Sequence, residues 1–486
     1  MNVSYTGLIE SKSSRLIPQK DGLALHSRYD PQKEAKAFAD SFNDDSLFFI
    51  IGGLAGGYHI EALLKNNPNR KIIAVENCKE DFDFLYKIPC CKELKNNSQV
   101  IFTTPEKLFE TIINSYIPSA FGKFTVTFLR AWENAFPSTA NVIKEIAKKT
   151  EELSIRDFLT QRAFGKIWQK NIIDNLRILE KLKKVELNQS ALLKKTAAII
   201  AAGPTLDQKI SILKEKRDDF FIICADTSYQ VLLSSGIKSD AVVSLDGQMI
   251  SYCHFIKTNR TNIEGTIFLF DLCAQTSTVR HIQSLGGKII FFSSAHPLSS
   301  LAGYFLQKSN FIRLDSGSGT VTIAAADFAY KLGFSKVEFF GADFAYKNGK
   351  PYTKGTYLDL LYSKNQNKLE TAETKFCSLM FRTPLIKLDK NSYTNALMES
   401  YKNALGYYLK NPASKLCVDF FPMSAKTFLK NLHDELLSFP NDFFKALLNP
   451  HIATILPLMA YYEKYYSIQQ SYELALKKTL EYTIIS

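Results

Sequence analysis

The 486-residue sequence lacks the features of a membrane protein and those of a disulfide-linked or zinc-binding protein. No apolar run reaches the roughly 18 residues that a membrane span needs, and the first residues show no signal-peptide pattern. The eight cysteines are scattered except for Cys90 and Cys91, without a C-x-x-C pair or a spacing typical of zinc ligands. We therefore expect a cytoplasmic protein with reduced thiols and no membrane span.

The sequence also lacks a block of basic residues. Its net charge of +12 comes from dispersed lysines, so we expect no nucleic-acid partner. A positive field of this kind remains compatible with an anionic substrate such as a nucleotide or an acidic sugar. The length exceeds the roughly 250–300 residues at which single cores stop growing, which predicts two or three domains.

Apolar runs alternate with helical patterns in two blocks, and runs without polar alternation indicate parallel strands covered on both faces. The first block has strands at Leu47–Gly52, Lys71–Val75, Gln99–Thr104 and Phe124–Phe128. The second has strands at Ala197–Ala202, Phe220–Ala225, Ala241–Asp246, Thr266–Phe270, Lys288–Phe292 and Lys336–Gly341. Helices are expected at Tyr58–Asn66, Leu206–Lys216, Ser228–Ser235 and Val321–Leu332.

This pattern predicts an α/β fold in which two Rossmann-like parallel-sheet domains are joined by a helical connector and followed by a mainly helical C-terminal region. The expected bounds are 1–130 for the N-terminal domain, 131–193 for the connector, 194–358 for the central domain and 359–486 for the C-terminal region. One further short strand is expected at Leu416–Phe421.

A glycine-rich turn, IGGLAGGYH, follows the first predicted strand, and Glu76 ends the next one. Such glycines let a backbone approach a phosphate, and an acid one strand further on can bind ribose hydroxyls. Because the pattern is not a clean G-x-G-x-x-G and no catalytic group stands beside it, a structural role is the favoured interpretation.

The second block offers several polar groups at the ends of its strands. AAGPTLD places Gly203 in a tight turn, Pro204 at the first turn of a helix, and Thr205 where its side chain can satisfy free amides. Further polar groups are Asp226, Thr227, Asp246, Ser318 and Gly319. Since the carboxyl ends of parallel strands line one crevice, we expect these residues to form a single phosphate-binding site.

The stretch GADFAYKNGKPY runs from a buried strand through an Asn-Gly turn and carries Tyr346 and Tyr352. Taken with AAGPTLD, CADTSYQVLLSSGIKSDAVVSLD and SGSGTVTIAAADFAYKLG, it resembles the motility accessory factor (Maf) family of flagellin glycosyltransferases. The central domain is similar in turn to bacterial sialyltransferases. Upstream, FFIIGGLAGGYHIEALL and FGKIWQKNIIDNL resemble the N-terminal domain and the interdomain helix of the Maf family.

The resemblance implies transfer of a nonulosonic acid from a CMP-activated donor to serine or threonine of flagellin. It places Tyr346 and Tyr352 as hydrogen-bond donors to the phosphate of the departing CMP, and Asp343 among the donor-binding residues. Fixed donors stabilise charge that develops in a transition state. With such donors the resemblance implies a reaction that requires no metal or other cofactor, and the second block has no Asp-x-Asp motif to hold a metal.

The sequence departs from the sialyltransferase pattern at three points. Ala202 replaces a donor-binding asparagine, and Asp226, a possible catalytic group, stands where a second asparagine is expected. The general base of those enzymes is a histidine downstream of the tyrosines, but no histidine occurs between His296 and His433. The base is left unassigned among His254, His281 and His296, of which His296 is the first choice, and the aspartates Asp226, Asp246 and Asp343.

Two alternatives stay open. The same central motifs resemble the 6-hydroxymethylpterin diphosphokinase MptE-like family, which would transfer diphosphate from a magnesium-bound ATP to a pterin. A flagellin-binding adaptor that has lost activity would also explain the missing histidine and Ala202. The aromatic C-terminal region is most simply a helical core, and flagellin binding there is a further possibility.

Overall fold

The computed structural model describes residues 3–185, 195–306, 311–317, 319–412 and 423–484. The described chain forms two compact units. The first unit comprises residues 1–163, 440–448 and 459–472, and the second comprises residues 164–439, 449–458 and 473–486. Both are mixed α/β units with a parallel sheet, which confirms the predicted fold class. The predicted domain bounds stay a prediction.

The first unit contains a four-stranded parallel sheet of order β6-β5-β4-β7. Its strands are β4 (Phe48–Gly52), β5 (Lys71–Val75), β6 (Val100–Thr103) and β7 (Thr125–Phe128). All five residues of β4 are buried, as expected for a central strand covered on both faces. A separate antiparallel sheet of three short strands precedes it: β1 (Gly7–Glu10), β2 (Leu16–Lys20) and β3 (Leu23–Ala24).

The helices of the first unit flank this sheet in sequence. They are Pro31–Asp40, Tyr58–Asn66, Lys79–Leu85, Pro89–Leu94, Pro105–Ser115, Pro118–Phe121 and Arg130–Ala135, with Phe443–Ala446 from the C-terminal part of the chain. A 43-residue helix, Pro137–Leu179, then begins in the first unit and ends in the second. It is the helical connector predicted from the sequence.

The second unit contains a seven-stranded parallel sheet of order β13-β12-β11-β10-β9-β8-β14. Its strands are β8 (Thr196–Ile200), β9 (Phe220–Ala225), β10 (Ala241–Ser244), β11 (Ile267–Asp271), β12 (Lys288–Ser293), β13 (Phe311–Arg313) and β14 (Val337–Phe340). From β8 the strands follow one another outward to β13, and the chain then crosses back to place β14 on the other side of β8. The switch point of the sheet therefore lies between β8 and β14, where open α/β sheets bind ligands.

The α-helices of the second unit are Ile210–Glu215, Asp226–Ser234, Arg260–Ile263, Thr276–Ser284, Pro297–Phe305, Val321–Leu332, Tyr357–Lys364, Ala372–Met380, Ala396–Lys410 and Ala425–Leu437, and 3₁₀ helices span Pro204–Gln208, Arg217–Asp219, Met249–Phe255 and Pro450–Thr454. Helices Leu456–Tyr462 and Ile468–Thr483 contain residues of both units. Three short strands, β15 (Tyr346–Lys347), β16 (Ile386–Lys387) and β17 (Ser392–Thr394), form a third sheet of order β15-β17-β16.

The core of the second unit joins its sheet to the helix Val321–Leu332. Buried alanines and Phe328 of this helix contact the apolar side chains of the central strands. Small residues on the helix allow close packing against large strand side chains, which fixes the carboxyl ends of the strands relative to one another. Among the described residues, no helix is both long and apolar enough to cross a membrane.

Two sequence predictions fall on residues outside the described ranges: the strand Leu416–Phe421 and the site residue Ser318. A third differs from the structure. The predicted helix Leu206–Lys216 is a 3₁₀ helix, Pro204–Gln208, followed by a short α-helix, Ile210–Glu215.

Candidate active site at the second sheet

Two glycines bring the ends of β8 and β14 together at the switch point. The Gly203 amide donates a hydrogen bond to the Gly341 carbonyl at 2.8 Å. A Cβ on Gly203 would lie 2.4 Å from that oxygen, and a Cβ on Gly341 would lie 2.5 Å from the Ala201 carbonyl oxygen. Gly341 also has a φ of +64°, which side chains rarely tolerate. Glycine is therefore required at both positions for the close approach.

The carboxylate of Asp343 binds the turn that follows β8. It accepts a hydrogen bond from the Thr205 amide at 2.7 Å and another from the Thr205 hydroxyl. The prediction that the Thr205 side chain satisfies free amides is wrong, because this hydroxyl donates to Asp343 and the 3₁₀ helix has no side-chain cap. Pro204 does occupy the first turn of the 3₁₀ helix, as predicted. Since Asp343 holds the Thr205 amide, a bound phosphate must find its donors elsewhere in the crevice.

The segment that carries Tyr346 and Tyr352 is built on a tight hairpin. Asn348 and Gly349 both have positive φ, at +50° and +77°, and Lys347 and Lys350 exchange backbone hydrogen bonds of 2.9 and 3.1 Å. These are the properties of a two-residue Asn-Gly turn of type I′. Tyr346 lies in β15 before the turn, and Tyr352 follows it.

Thr353 joins this segment to the turn after β8. Its amide donates to the Ala202 carbonyl at 2.8 Å, and its hydroxyl donates to Asp207. Thr353 is fully buried, whereas Asp207 is exposed. Tyr352 is therefore held directly beside the AAGPTLD turn, as a single site at the switch point requires. Neither Thr353 nor Asp207 was singled out from the sequence, because their contact joins residues 146 positions apart.

Four tyrosines lie close to one another here, and we call Tyr346, Tyr352, Tyr357 and Tyr401 the tyrosine cluster. Burial, together with the nearby phenols and the charge of Asp226, raises the pKa of Tyr352 to about 12. Burial also raises the pKa of Tyr346, against the opposing charge of Arg382. Both phenols therefore stay protonated at neutral pH and can donate hydrogen bonds.

The hydroxyl groups of Tyr346 and Tyr352 have no hydrogen-bond partner among the described residues, although Tyr346 is only 6% exposed. Neither hydroxyl oxygen is sealed from solvent. Arg382 adds a positive charge near Tyr346. An anionic ligand at this point would meet two neutral donors and one guanidinium. Arg382 was missed in the sequence because it lies 36 residues after Tyr346 without a recognisable motif.

The strand-end aspartates are bound by their own surroundings. Asp226 is 3% exposed and accepts hydrogen bonds from the Thr227 amide at 2.7 Å and the Ser244 hydroxyl at 2.6 Å. Asp246 accepts from the Gln248 amide at 2.9 Å. Burial raises the pKa of Asp246, and the charge of Asp226 adds to this, while His254 opposes it. Asp226, Asp246 and His254 thus share one neighbourhood.

The remaining glycine-rich stretch, DSGSGT, leads into the helix Val321–Leu332. Gly319 has a φ of +86° and open space around it. Thr320 caps the helix by accepting from the Thr322 amide at 3.3 Å. The backbone turn is held by the Ser316 carbonyl, which accepts from the amides of Gly319 and Thr320.

The three histidines considered from the sequence have different environments. The Nδ1 atom of His296 accepts a hydrogen bond from the Leu298 amide at 3.2 Å and caps the helix Pro297–Phe305. Burial lowers the pKa of His296 to about 3, which makes it a weak base. The ring of His281 packs against Tyr252 at 5.4 Å, whereas the ring of His254 packs edge-on against Tyr357 at 4.8 Å.

The glycine-rich turn of the first unit is filled by protein. A Cβ on Gly53 would lie 2.4 Å from the Trp132 ring, and a Cβ on Gly52 would lie 2.3 Å from Phe128. Glu76 is fully buried and accepts hydrogen bonds from the Leu54 amide and the Tyr5 hydroxyl, each at 2.7 Å. The Glu76 carboxylate is therefore bound by hydrogen-bond donors of the protein itself, where the sequence pattern allowed a ribose. These contacts agree with the structural role favoured from the sequence.

The first unit also has a surface cleft of about 690 Å³ at the carboxyl ends of β5 and β6. Its lining includes Phe82, Tyr86 and Phe102, together with positively charged lysines and negatively charged acidic residues. No residue of the predicted site lines it, and its mixed charges favour no one class of ligand. Across the described ranges, no three His, Cys, Asp or Glu side chains are grouped so as to hold a metal ion.

Comparisons with known proteins agree with this architecture. Residues 170–349 match the family described as 6-hydroxymethylpterin diphosphokinase MptE-like. The solved structure of a Maf glycosyltransferase from Magnetospirillum magneticum AMB-1 aligns with 99% of this chain and 86% of that chain, with a TM-score of 0.53 and 14% sequence identity. The fold is therefore that of the Maf protein with an MptE-like central segment, and the resemblance stated from the sequence is confirmed.

Two proteins of Treponema pallidum (strain Nichols), both called uncharacterized protein, are similar in sequence. One is 33% identical over 222 residues, which are 44% of this chain and 75% of that protein. The other is 30% identical over 177 residues, which are 33% of this chain and 81% of that protein. The chain belongs to the same family as these Treponema proteins.

Proposed function

We propose that the chain is a glycosyltransferase that moves a nonulosonic sugar from a CMP-activated donor to serine or threonine hydroxyls of flagellin in the cytoplasm. The observation that carries the proposal is that Tyr346 and Tyr352, at the switch point of the second sheet, have neutral phenols with no hydrogen-bond partner in the described part of the chain. The Maf-type fold supports the same reaction class. The choice of sugar, nucleotide and acceptor rests on the resemblance described above.

In the proposed reaction the acceptor oxygen attacks the anomeric carbon of the sugar while the bond from that carbon to the CMP phosphate oxygen breaks. Tyr346 and Tyr352 donate hydrogen bonds to this phosphate as its charge increases, and Arg382 adds a compensating positive charge. Because the donors are fixed in place before the reaction, little reorganisation is needed. The two phenols supply this stabilisation without a metal or other cofactor.

The other residues of the site have supporting roles in this proposal. Gly203 and Pro204 shape the turn against which the donor lies, and the Asp343–Thr205 pair fixes it. Asp226, Thr227 and Asp246 lie at the adjacent strand ends, and Gly319 belongs to a further polar turn. Ser318 is proposed as a donor-binding residue from the sequence alone. Asp226 is a second catalytic candidate because its charge acts on Tyr352.

The first test is the replacement of each phenol by a phenyl ring. Tyr346→Phe and Tyr352→Phe each remove one donor and keep the ring, so we expect kcat for sugar transfer to fall by about 10²–10³-fold with an unchanged melting temperature. Tyr330→Phe is the matched control, because Tyr330 is a partly buried tyrosine near the far end of the helix Val321–Leu332. Wild-type turnover in both site variants would contradict the proposal.

A second candidate function is diphosphate transfer from ATP to a pterin, which the MptE-like match of residues 170–349 favours. Thermal-shift binding distinguishes the two reactions, because a ligand that binds the folded state raises the melting temperature. Stabilisation by CMP without magnesium supports the sugar transferase. Stabilisation by ATP only in the presence of magnesium supports the kinase, and stabilisation by neither supports a non-catalytic flagellin adaptor.

A further inference from the structure

The proposed sugar transfer needs a group that takes the proton of the acceptor hydroxyl as its oxygen attacks. Such a group must lie near the tyrosine cluster, must be accessible to the acceptor, and must not be committed to another hydrogen bond. Of the three histidines in the central part of the chain, His296 is committed to capping a helix. His281 packs against Tyr252, which is outside the tyrosine cluster.

His254 meets all three conditions. It lies in the 3₁₀ helix Met249–Phe255, which begins three residues after Asp246, and the residue is only 5% exposed. Among the described residues its ring nitrogens have no hydrogen-bond partner, yet neither nitrogen is sealed from solvent. The imidazole is therefore held in place by packing, and its ring nitrogens can still accept a hydrogen bond or a proton from a bound acceptor.

Packing contacts connect His254 to the proposed leaving-group donors. Its ring lies 4.8 Å from the ring of Tyr357, at an interplanar angle of 80°. Tyr357 and Tyr352 in turn pack against the same small apolar cluster, whose buried members include Leu358 and Phe376. These contacts place the imidazole beside Tyr357, and Tyr357 lies close enough to Tyr352 to act on its phenol electrostatically.

Asp246 provides a countercharge for a protonated His254. The two groups interact electrostatically, and Asp246 lies at the carboxyl end of β10, the strand next to β9 and Asp226. A carboxylate near an imidazole stabilises the imidazolium that forms when the ring accepts a proton. Asp246 is therefore near enough to His254 to favour its protonated form.

We infer that His254 is the general base of the proposed glycosyl transfer, an inference that rests on the proposed function. One ring nitrogen of His254 takes the proton from the acceptor hydroxyl while the new oxygen–carbon bond forms. The bond from the anomeric carbon to the phosphate oxygen breaks, and CMP leaves with that electron pair. The imidazolium, stabilised by Asp246, then returns its proton to solvent.

Chemical rescue is the direct test. His254→Ala is expected to lower kcat by about 10²–10⁴-fold and to leave the thermal shift produced by CMP unchanged. Added imidazole is expected to restore transfer by the variant at least about tenfold, because a small base can occupy the space that the side chain leaves. A histidine with only a structural role would show no such recovery.

His281→Ala is the matched control, since His281 also packs against a tyrosine of the same unit and should retain wild-type transfer with no response to imidazole. His254→Gln fills the space if the alanine variant fails to fold, and it should lose transfer with a normal melting temperature. The assignment of His254 as the base is overturned by wild-type turnover in either His254 variant. It is also overturned if folded His254→Ala loses transfer and imidazole does not restore it. Absence of sugar transfer by the wild-type protein overturns the proposed function itself and the base with it.

Discussion

Both parallel sheets place glycines directly after their first strand, at the switch point. In both, a carboxylate accepts a hydrogen bond from at least one amide of that turn. In the first unit the carboxylate is Glu76, and the crevice beside it is filled by Trp132 and Phe128. In the second unit the carboxylate is Asp343, and the side chains beside it include phenols without hydrogen-bond partners among the described residues.

This difference teaches that a glycine-rich turn does not by itself specify a ligand site. In both sheets the glycines are needed because another part of the protein approaches closely. What separates the two is the segment that follows the last strand of the sheet. After β7 that segment supplies Trp132, whose ring stacks with Phe128 at 6.1 Å and occupies the crevice. After β14 it supplies a hairpin that carries Tyr346 and Tyr352.

The largest effect is expected from Glu76→Ala, which removes the acceptor of at least two buried hydrogen bonds in the first unit. We expect a loss of about 3 kcal/mol or more in the free energy of unfolding, because each buried donor left unpaired costs about 1–3 kcal/mol. In a Trp168→Phe background Trp132 becomes the only tryptophan, so its fluorescence reports the unfolding of the first unit.

Glu61→Ala is the control for this prediction, because Glu61 makes an i,i+4 ion pair with Lys65 on the helix Tyr58–Asn66. Such surface pairs contribute about 0.5 kcal/mol or less. Glu76→Ala should also retain the thermal shift produced by CMP. If Glu76→Ala is as stable as wild type, or if it loses CMP binding while still folded, the proposed difference between a structural first site and a ligand-binding second site is contradicted.

The pH dependence of the first unit tests the same carboxyl group. Burial raises the pKa of Glu76 from 4.5 to about 7, so between these values the folded unit holds a proton that the unfolded chain releases. Stability is therefore highest below about pH 4.5 for this group and falls as the pH rises to about 7, by up to about 3 kcal/mol. Burial also raises the pKa of Glu463 to about 7, which adds to the slope.

Glu76→Gln is expected to reduce the dependence of the free energy of unfolding on pH, so that the contribution of Glu463 remains. Denaturant unfolding at pH 5, 6 and 7.5, followed through Trp132, measures it. If the slope of Glu76→Gln equals that of wild type, the carboxyl group of Glu76 does not titrate in the folded unit as its burial implies.

At the second sheet, Gly203→Ala tests the close approach of β8 and β14. A Cβ there meets backbone and the Asp343 carboxylate within 2.5 Å, and displacing a strand end costs about 2 kcal/mol. We also expect the thermal shift by CMP to disappear. Gly406→Ala is the control, since a Cβ at that helical position has no atom within 4 Å and should be neutral or stabilise by about 0.5–1 kcal/mol.

Much of the sheet architecture was predictable, because continuous apolar runs specify strands that are buried on both faces. KIIAV and FFIICA form β5 and β9 with the bounds predicted from the sequence, and the helix Val321–Leu332 also matches. The strands β1 to β3 were missed because they are short and only partly buried, and the three-residue β13 was also missed.

The individual contacts of the site were less predictable than its position. Gly203 and the two tyrosines were identified through motifs that recur in a family. The contact between Asp343 and Thr205 joins residues 138 positions apart, and nothing local in either segment indicates the other. The same holds for His254, whose ring packs against Tyr357, a residue 103 positions later that no local pattern connects to it.

The smallest effect on stability is expected from Asp343→Ala, the counterpart of Glu76→Ala. Asp343 is only partly buried, so water can replace it as the acceptor for the Thr205 amide and hydroxyl. We expect a loss of about 1 kcal/mol, similar to the removal of a helix cap, measured by denaturant unfolding of the second unit through Trp168. In contrast to Glu76→Ala, this variant should show a reduced thermal shift with CMP, because the turn at Gly203–Thr205 is no longer fixed. If Asp343→Ala destabilises the protein as much as Glu76→Ala and keeps the wild-type thermal shift with CMP, Asp343 has the same structural role as Glu76. The proposal that the second switch point binds the ligand would then be contradicted.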